Sequence, residues 1–334
     1  MRKTANSRGL GAVYVGTSGW SYPTGPGTWN GIVYPKPRPK GFDELEHYAR
    51  FFDTTEINNT FYRPPDPKIA ETWVRRTPPH FVFSVKLHQR FTHPAMHKKA
   101  TGDREVRRSQ ADVDEFRRGL DPLATAGKLG ALLVQFPASF TASAENQDYL
   151  TWLFAAFKGY ELALELRHRT WSDDAESLLQ LLREHHAAWV QIDEPRFRTS
   201  IRQDYLPNVS FYYLRLHGRR ADKWWHHGHR DERYDYLYTA EELRSFAEIL
   251  SAIRRLTKKS YAYMNNHPAG QSAANALQLK HGMKQGVPDN LPLALLARYP
   301  ELAAILPAAA PAADKEPFRL TPEHVAVKAP DRER

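Results

Sequence analysis

Three carboxylates, three cations and two histidines fall at the polar ends of short apolar runs in this 334-residue chain. They are Glu56, Glu165 and Asp193, then Lys86, Arg167 and Arg215, then His88 and His217. Ser18, Asn58, Gln135, Asn265 and Asn266 occupy matching places on other runs. Such a set supports three kinds of chemistry. Glu56 and Glu165, with Asp193 and His217, could move protons in a hydrolysis if their surroundings separate their pKa values. Arg167, Arg215 and Lys86 could clamp a phosphate or carboxylate, the arginines bidentately, while His217 or His88 shuttles a proton. The third is a divalent ion held by His217, Asp193, Glu165 and Glu56. Against it, the inward set has no His-x-His or His-x-x-x-His pairing, and three cations aimed at one cavity would repel a metal. No cofactor is expected, and a divalent metal is the secondary option.

Eight runs carry these residues: Val13 to Ser18, Thr54 to Asn59, Phe81 to His88, Leu132 to Gln135, Leu162 to Arg167, Val190 to Asp193, Tyr213 to His217 and Tyr261 to Asn266. Helix-like stretches separate most of them. That rhythm predicts a TIM-type (β/α)8 barrel, whose reactive groups gather at the C-terminal ends of the strands. Strand side chains alternate with period two, so an apolar set faces the helices and the other set faces in. Leu162, Leu164 and Leu166 must face out, which turns Glu165 and Arg167 inward. Tyr212, Leu214 and Leu216 turn Tyr213, Arg215 and His217 inward. The same rule puts Ser84, Lys86 and His88 on the inner face of the third strand, and Tyr261, Tyr263 and Asn265 on that of the eighth. For the sixth strand, Trp189 to Ile192, it selects Gln191 and Asp193. The plain alternative is interior ion pairing, but so many polar groups at one end of one cavity exceed what a core needs.

Long loops are expected after the first strand (Ser21 to Gly41), the third (Phe91 to Glu105) and the seventh (Gly218 to Tyr238). Long loops in compact domains are often functional. Trp20 and Tyr62 could stack on a ligand from such loops. The stretch Trp224-Trp225-His226-His227-Gly228-His229 reads as solvated loop. Thr239-Ala-Glu-Glu242 is a capping box that opens a helix to Leu256. No Gly-x-Ser-x-Gly nucleophile elbow surrounds Ser18, although the Gly16-Thr-Ser-Gly19 turn could offer N–H groups to an anion.

A single barrel typically takes about 250 residues. We expect a leader over residues 1–10, the barrel over 11–285, a helical extension over 286–306 and a disordered tail over 307–334. The chain is 41% apolar, enough for a full core, and contains no cysteine, which excludes disulfides. The first residues have charge without a following apolar stretch, and no run approaches the ~18 apolar residues of a membrane span. The expectation is a cytoplasmic protein with no membrane partner. A net charge of +9 raises the prior for anionic partners. The lead reading is an enzyme, hydrolase-like, that binds a small anionic or sugar-like ligand. Its competitor is a nucleic-acid-binding or phosphodiester-processing protein, because the loops Lys86 to Arg108 and Arg215 to Arg233 mix cations with aromatic rings.

Several blocks at these positions resemble one known family. They are Gly16-Thr-Ser-Gly-Trp20, Tyr34-Pro35, Glu56-Ile-Asn-Asn-Thr-Phe-Tyr-Arg63, Thr92-His93, Gln135-Phe-Pro137, Glu165-Leu-Arg-His168 with Trp171, Asp193, Arg215-Leu-His-Gly218, and Asn265-Asn266 with Gly270 and Asn275. In this order they are similar to domain-of-unknown-function family number 72, also called the YecE-like family. The leader and the chain after about Gln285 lie outside the resemblance. It implies a TIM-type barrel and a shared ligand site, but no established reaction and no residue roles. The His226–His229 stretch is not part of it.

Overall fold

The computed structural model describes residues 9–25, 27–102 and 108–307, with Arg230 described by its backbone alone. Most of the expected leader, all of the expected tail beyond residue 307 and the end of the third-strand loop lie outside the described residues.

Parallel strands form one sheet. They are β1 (Ala12–Thr17), β2 (Thr54–Ile57), β3 (Val82–Lys86), β4 (Leu129–Gln135), β5 (Leu162–Glu165), β6 (Ala188–Trp189), β7 (Gln191–Asp193), β8 (Phe211–Leu216) and β9 (Lys259–Met264). Their order is β6-β5-β4-β3-β2-β1-β9-β8-β7. The two ends of that order, β6 and β7, are separated along the chain by Val190 alone, so they are halves of one strand and the sheet closes as a TIM-type barrel. The interruption has a physical cause. The Gln203 side chain donates to the Val190 carbonyl (2.7 Å) and accepts from Ile192 N–H (3.0 Å). Asn208 likewise accepts from Trp189 N–H (2.9 Å) and donates to the Ala187 carbonyl (2.8 Å). Two amide side chains thus satisfy backbone groups that a neighbouring strand would otherwise take.

Local sequence sets the surrounding helices. Asp66 caps Pro67–Arg75, whose first residue is the proline that a helix start tolerates. Ser109 caps Gln110–Thr125 and Ser143 caps Ala144–Ala156. The Thr239–Glu242 capping box is present at the head of Ala240–Ile253. The stretch after the third strand is not all loop, since Gln89–Thr92 and Pro94–Thr101 are short helices. The segment after β8 also carries short helical turns, Ala221–Trp224 and Arg230–Tyr234. Past residue 285, Leu293–Arg298 is helical and Pro300–Ile305 forms a 3-10 turn.

Outside the barrel, Phe81, Phe83, Val85, Leu162, Leu164, Leu214 and Leu216 are buried against the helical shell. Inside, the packing is aromatic and polar. The Tyr261 ring stacks on Tyr14, and Tyr263 lies 5.3 Å from Tyr213. The Tyr263 hydroxyl donates to Ser84 Oγ (2.9 Å) and lies 2.7 Å from Thr54 Oγ1. Gly16 is required where β1 passes β2: a Cβ there would lie 2.2 Å from the Thr54 carbonyl oxygen. The tyrosine layer closes the barrel from below, so polar groups further along the strands are lifted to the C-terminal mouth.

Candidate functional site

Arg215 organises the floor of the mouth. It leaves the inner face of β8 and grips Glu56 through Nε (3.0 Å) and Nη2 (2.8 Å). Its Nη1 donates to Glu165 Oε2 at 2.5 Å and lies 3.4 Å from His217 Nε2. Tyr213 adds its hydroxyl to Glu56 Oε2 at 2.7 Å. Glu56, Glu165 and His217 have no solvent exposure. Arg167, two residues past Glu165, donates to Glu165 Oε1 through Nε (3.0 Å) and Nη2 (2.5 Å), and its Nη1 bonds Glu194. Its Nη2 also lies 3.1 Å from His217 Nε2. Four of the five N–H groups on each guanidinium therefore have a partner, and one on each remains.

These contacts decide protonation. Burial alone would push the Glu165 carboxyl up, but Arg215 and Arg167 together hold it well below the carboxylate range. Glu165 is thus a locked carboxylate, not the proton donor expected of an acid catalyst. Burial, then Arg167 and Arg215, pulls His217 down to about 3. The ring is neutral at physiological pH, with Asn265 Nδ2 2.8 Å from its Nδ1. Burial raises Glu194 to about 7 against the pull of Arg167. Burial, with Arg215 adding, lowers Lys86 to about 7 against the attraction of Glu165 and Glu56.

Above this floor lies a cavity of about 320 Å³. Ser18, Asn58, Tyr62, Lys86, Gln135, Arg167, Arg215 and Asn265 line it, all expected from sequence. Tyr22, Asp231, Arg233, Tyr234 and His267 line it from the loops and were missed, because nothing in a loop sequence says which way it folds over a barrel. A larger cleft of about 720 Å³ lies between the helices Ala240–Ile253 and Gln271–Gly282, far from the polar floor and lined by other residues. Lys86 Nζ lies 2.5 Å from Gln135 Oε1 and 4.3 Å from the centre of the Phe61 ring. Unlike the two arginines, it has no carboxylate within ion-pair distance among the described residues. Ser18 Oγ is buried and has no hydrogen-bond partner. Its carbonyl accepts the Tyr22 hydroxyl, which ties the loop after β1 to the site.

Five expected inward or ligand-facing residues are elsewhere. Gln191 bonds the Trp189 carbonyl and Tyr205 N–H, and Asp193 accepts from Arg219 and from the Tyr238 hydroxyl (2.7 Å). The sixth strand is thus in the opposite phase, and Glu194 reaches Arg167 in place of Asp193. His88 caps the helix Gln89–Thr92 through Nδ1 and meets His97 edge-on, with burial lowering it to about 4. Trp20 packs on Trp73 and Phe83, on the helix-facing side of β3. Asn266 donates to the Tyr236 carbonyl and to Asn275 Oδ1, both at 2.8 Å, and so anchors the loop after β8 to the helix Gln271–Gly282.

No group of three or more His, Asp or Glu residues that could hold a metal ion occurs among the described residues. His226 and His229 are exposed, and His227 Nδ1 lies 3.1 Å from the Lys223 carbonyl. Arg219, Arg220 and Lys223, which gave the loop its basic character, are ion-paired with Asp193 and Glu242, with Asp222, and with Glu232. No described helix is long and apolar enough to cross a membrane.

Fold and site define a parallel α/β barrel with a polar, ion-paired mouth. The family model "Protein of unknown function DUF72" matches residues 14–294, and the chain belongs to that family. The match runs past the boundary near Gln285 drawn from the motifs. The UPF0759 protein YunF of Bacillus subtilis is 27% identical over 285 residues, which cover 80% of this chain and 93% of that protein. The UPF0759 protein YecE of Escherichia coli is 30% identical over 128 residues, 38% of this chain and 39% of its own length. Among solved structures, a DUF72 family protein from Thermotoga maritima is 34% identical with a TM-score of 0.70, covering 82% of this chain and all of that one. A DUF72 family protein from Enterococcus faecalis has a TM-score of 0.70 at 24% identity, over 84% of this chain and 98% of that one, and speaks for the fold alone.

Proposed function

We propose that this protein is an enzyme acting on a small anionic, hydroxyl-bearing substrate in the cavity at the barrel mouth. One observation carries the reading. Lys86, without a carboxylate partner, lines a small polar cavity together with Arg167 and Arg215, each of which has one N–H unengaged, and with Ser18, whose buried hydroxyl has no partner. Buried polar groups normally have partners, and those that lack one inside a cavity suit a ligand. Asn58, Gln135 and Asn265 offer amides for hydroxyl groups. Tyr62 and Tyr234 offer flat surfaces at the rim. Glu56 and Glu165 hold the arginines in place. Proton transfer in this reading falls to Lys86, which lines the cavity and is brought near neutrality, rather than to a Glu56–Glu165 pair acting in hydrolysis.

The test is ligand-induced stabilisation. Melting curves are recorded with inorganic phosphate, glycerol 3-phosphate, glucuronate and, as the uncharged control, glycerol. An anion at a hundredfold excess over its Kd adds about 2.7 kcal/mol. Stabilisation by at least one anion, absent with glycerol and absent in a folded Lys86→Met variant, supports the reading. Equal response of the wild type and the variant to every anion rejects it. Tight, steeply salt-dependent binding of single-stranded DNA or RNA, unchanged by Lys86→Met, would favour the nucleic-acid alternative instead.

A further inference from the structure

Lys86 is placed unlike any other cation of the site. Arg167 and Arg215 are each held by two carboxylates, and Lys86 by none. It rises from the end of β3 into the cavity, with Gln135 Oε1 against one face of its amine and the Phe61 ring beneath it. The charged groups around it are Arg215, Arg167, Glu165 and Glu56, with His93 alongside. Lys86 is half-buried, and a structural lysine in such a place usually has a counter-ion, because withdrawing an unpaired ammonium from water is costly. An amine kept free of a carboxylate, next to fixed cations and facing a ligand-sized space, is the arrangement in which lysine becomes a nucleophile.

We propose that the Lys86 amine forms a Schiff base with the carbonyl carbon of the substrate, which makes that substrate an anionic aldehyde, ketone or 2-oxo acid. This rests on the anion-binding reading above and narrows it. The remaining N–H groups of Arg167 and Arg215 receive the substrate's anionic group. The Lys86 nitrogen attacks the carbonyl carbon, and the C=O π pair moves to oxygen. The oxygen leaves as water with the two hydrogens lost from nitrogen, and one proton taken from solvent onto the nitrogen gives the cationic C=N product. No electron is gained or lost. Ser18 lines the same cavity, and its buried hydroxyl has no other partner. Burial and the neighbouring Arg215 lower the amine to about 7, which favours its unprotonated, nucleophilic form.

Reductive trapping tests this on the whole chain. The protein is incubated with pyruvate, glyoxylate or dihydroxyacetone phosphate and sodium cyanoborohydride, a hydride donor that converts C=N to a stable amine. The adduct is located by peptide mass spectrometry. The expected result is one dominant adduct, on Lys86, formed at least tenfold faster than on any surface lysine and slowed by inorganic phosphate. Lys86→Arg keeps the charge and loses the adduct. Labelling spread evenly over surface lysines, or unchanged in Lys86→Arg, overturns the proposal. Melting curves with glycerol 3-phosphate, which has no carbonyl, separate the two failures. Stabilisation without trapping defeats the Schiff base and leaves anion binding standing, whereas neither effect defeats both.

Discussion

Replacing Arg215 by Met removes the guanidinium and keeps most of the side-chain volume. What remains is Glu56 and Glu165, fully buried, with their shared cation gone. Breaking one buried pair by deleting a partner costs about 3–5 kcal/mol. Here one cation serves two carboxylates through three charge-assisted hydrogen bonds, so the loss falls at or above the upper end of that range. Set against a typical domain stability of about 5–15 kcal/mol, it leaves the fold marginal. The pH dependence gives a sharper signature. In the wild type, the depressed Glu165 carboxyl contributes stability that is present above its unfolded pKa and is lost as pH falls through its folded one. Without Arg215 the buried carboxyls hold protons more tightly than in the unfolded chain, so the variant instead gains stability relative to wild type as pH falls. Urea unfolding followed by circular dichroism at pH 8 and pH 5.5 measures both. The triple change Glu56→Gln, Glu165→Gln and Arg215→Met removes all three charges and should regain most of the loss at pH 8. A cost below about 1 kcal/mol for Arg215→Met at pH 8, or a triple variant no more stable than the single one, refutes the account of the floor as a charge-balanced unit.

Two further expectations concern other parts of the molecule. Glu194 is raised to about 7, so the folded state holds its proton where the unfolded chain has released it. Its contribution is present below the ordinary carboxylate pKa and is lost as pH rises to about 7, a fall of about 3 kcal/mol at most. Glu194→Gln should flatten the stability curve over that window, and a curve of unchanged shape would remove Glu194 as the titrating group. Thr239→Ala should cost about 1 kcal/mol through loss of the capping box at Ala240–Ile253, read from the unfolding midpoint. No change in that midpoint would mean the cap is replaced by water without loss.

Alternation along the strands was enough to foresee most of the mouth. Three leucines on one face of β5 leave Glu165 and Arg167 no other direction, and β8 repeats the pattern with Arg215 and His217. The Glu56–Arg215–Glu165 arrangement itself was not legible, because side-chain pairing depends on how three separate strands line up. That alignment also changes how Glu165 reads. Read alone it is a candidate acid, whereas between two guanidiniums it is a fixed anion. Asn266 and Trp20 stand in motif blocks beside mouth residues, yet one fastens a loop and the other packs under the helices. Proximity in sequence to a polar strand end says little about which side of the sheet a side chain takes after the strand has finished.

The sixth strand failed for a different reason, and it bears on the site. Sorting by alternation assumes an apolar shell outside the barrel. Around β7 the shell is built by Tyr205, Arg219 and Tyr238, so Gln191 and Asp193 find polar partners on the outer face. The apolar Val190 and Ile192 then turn inward, and the next inward position falls on Glu194. That shift supplies the second carboxylate that Arg167 needs once Glu165 is shared with Arg215. Glu56, Glu165 and Glu194 are all committed to Arg167 and Arg215, and Asp231, the other acidic residue lining the cavity, is paired with His229 and His267. The missing counter-ion of Lys86 is therefore a consequence of how the arginines are held, and an anionic substrate is the partner that would complete the balance.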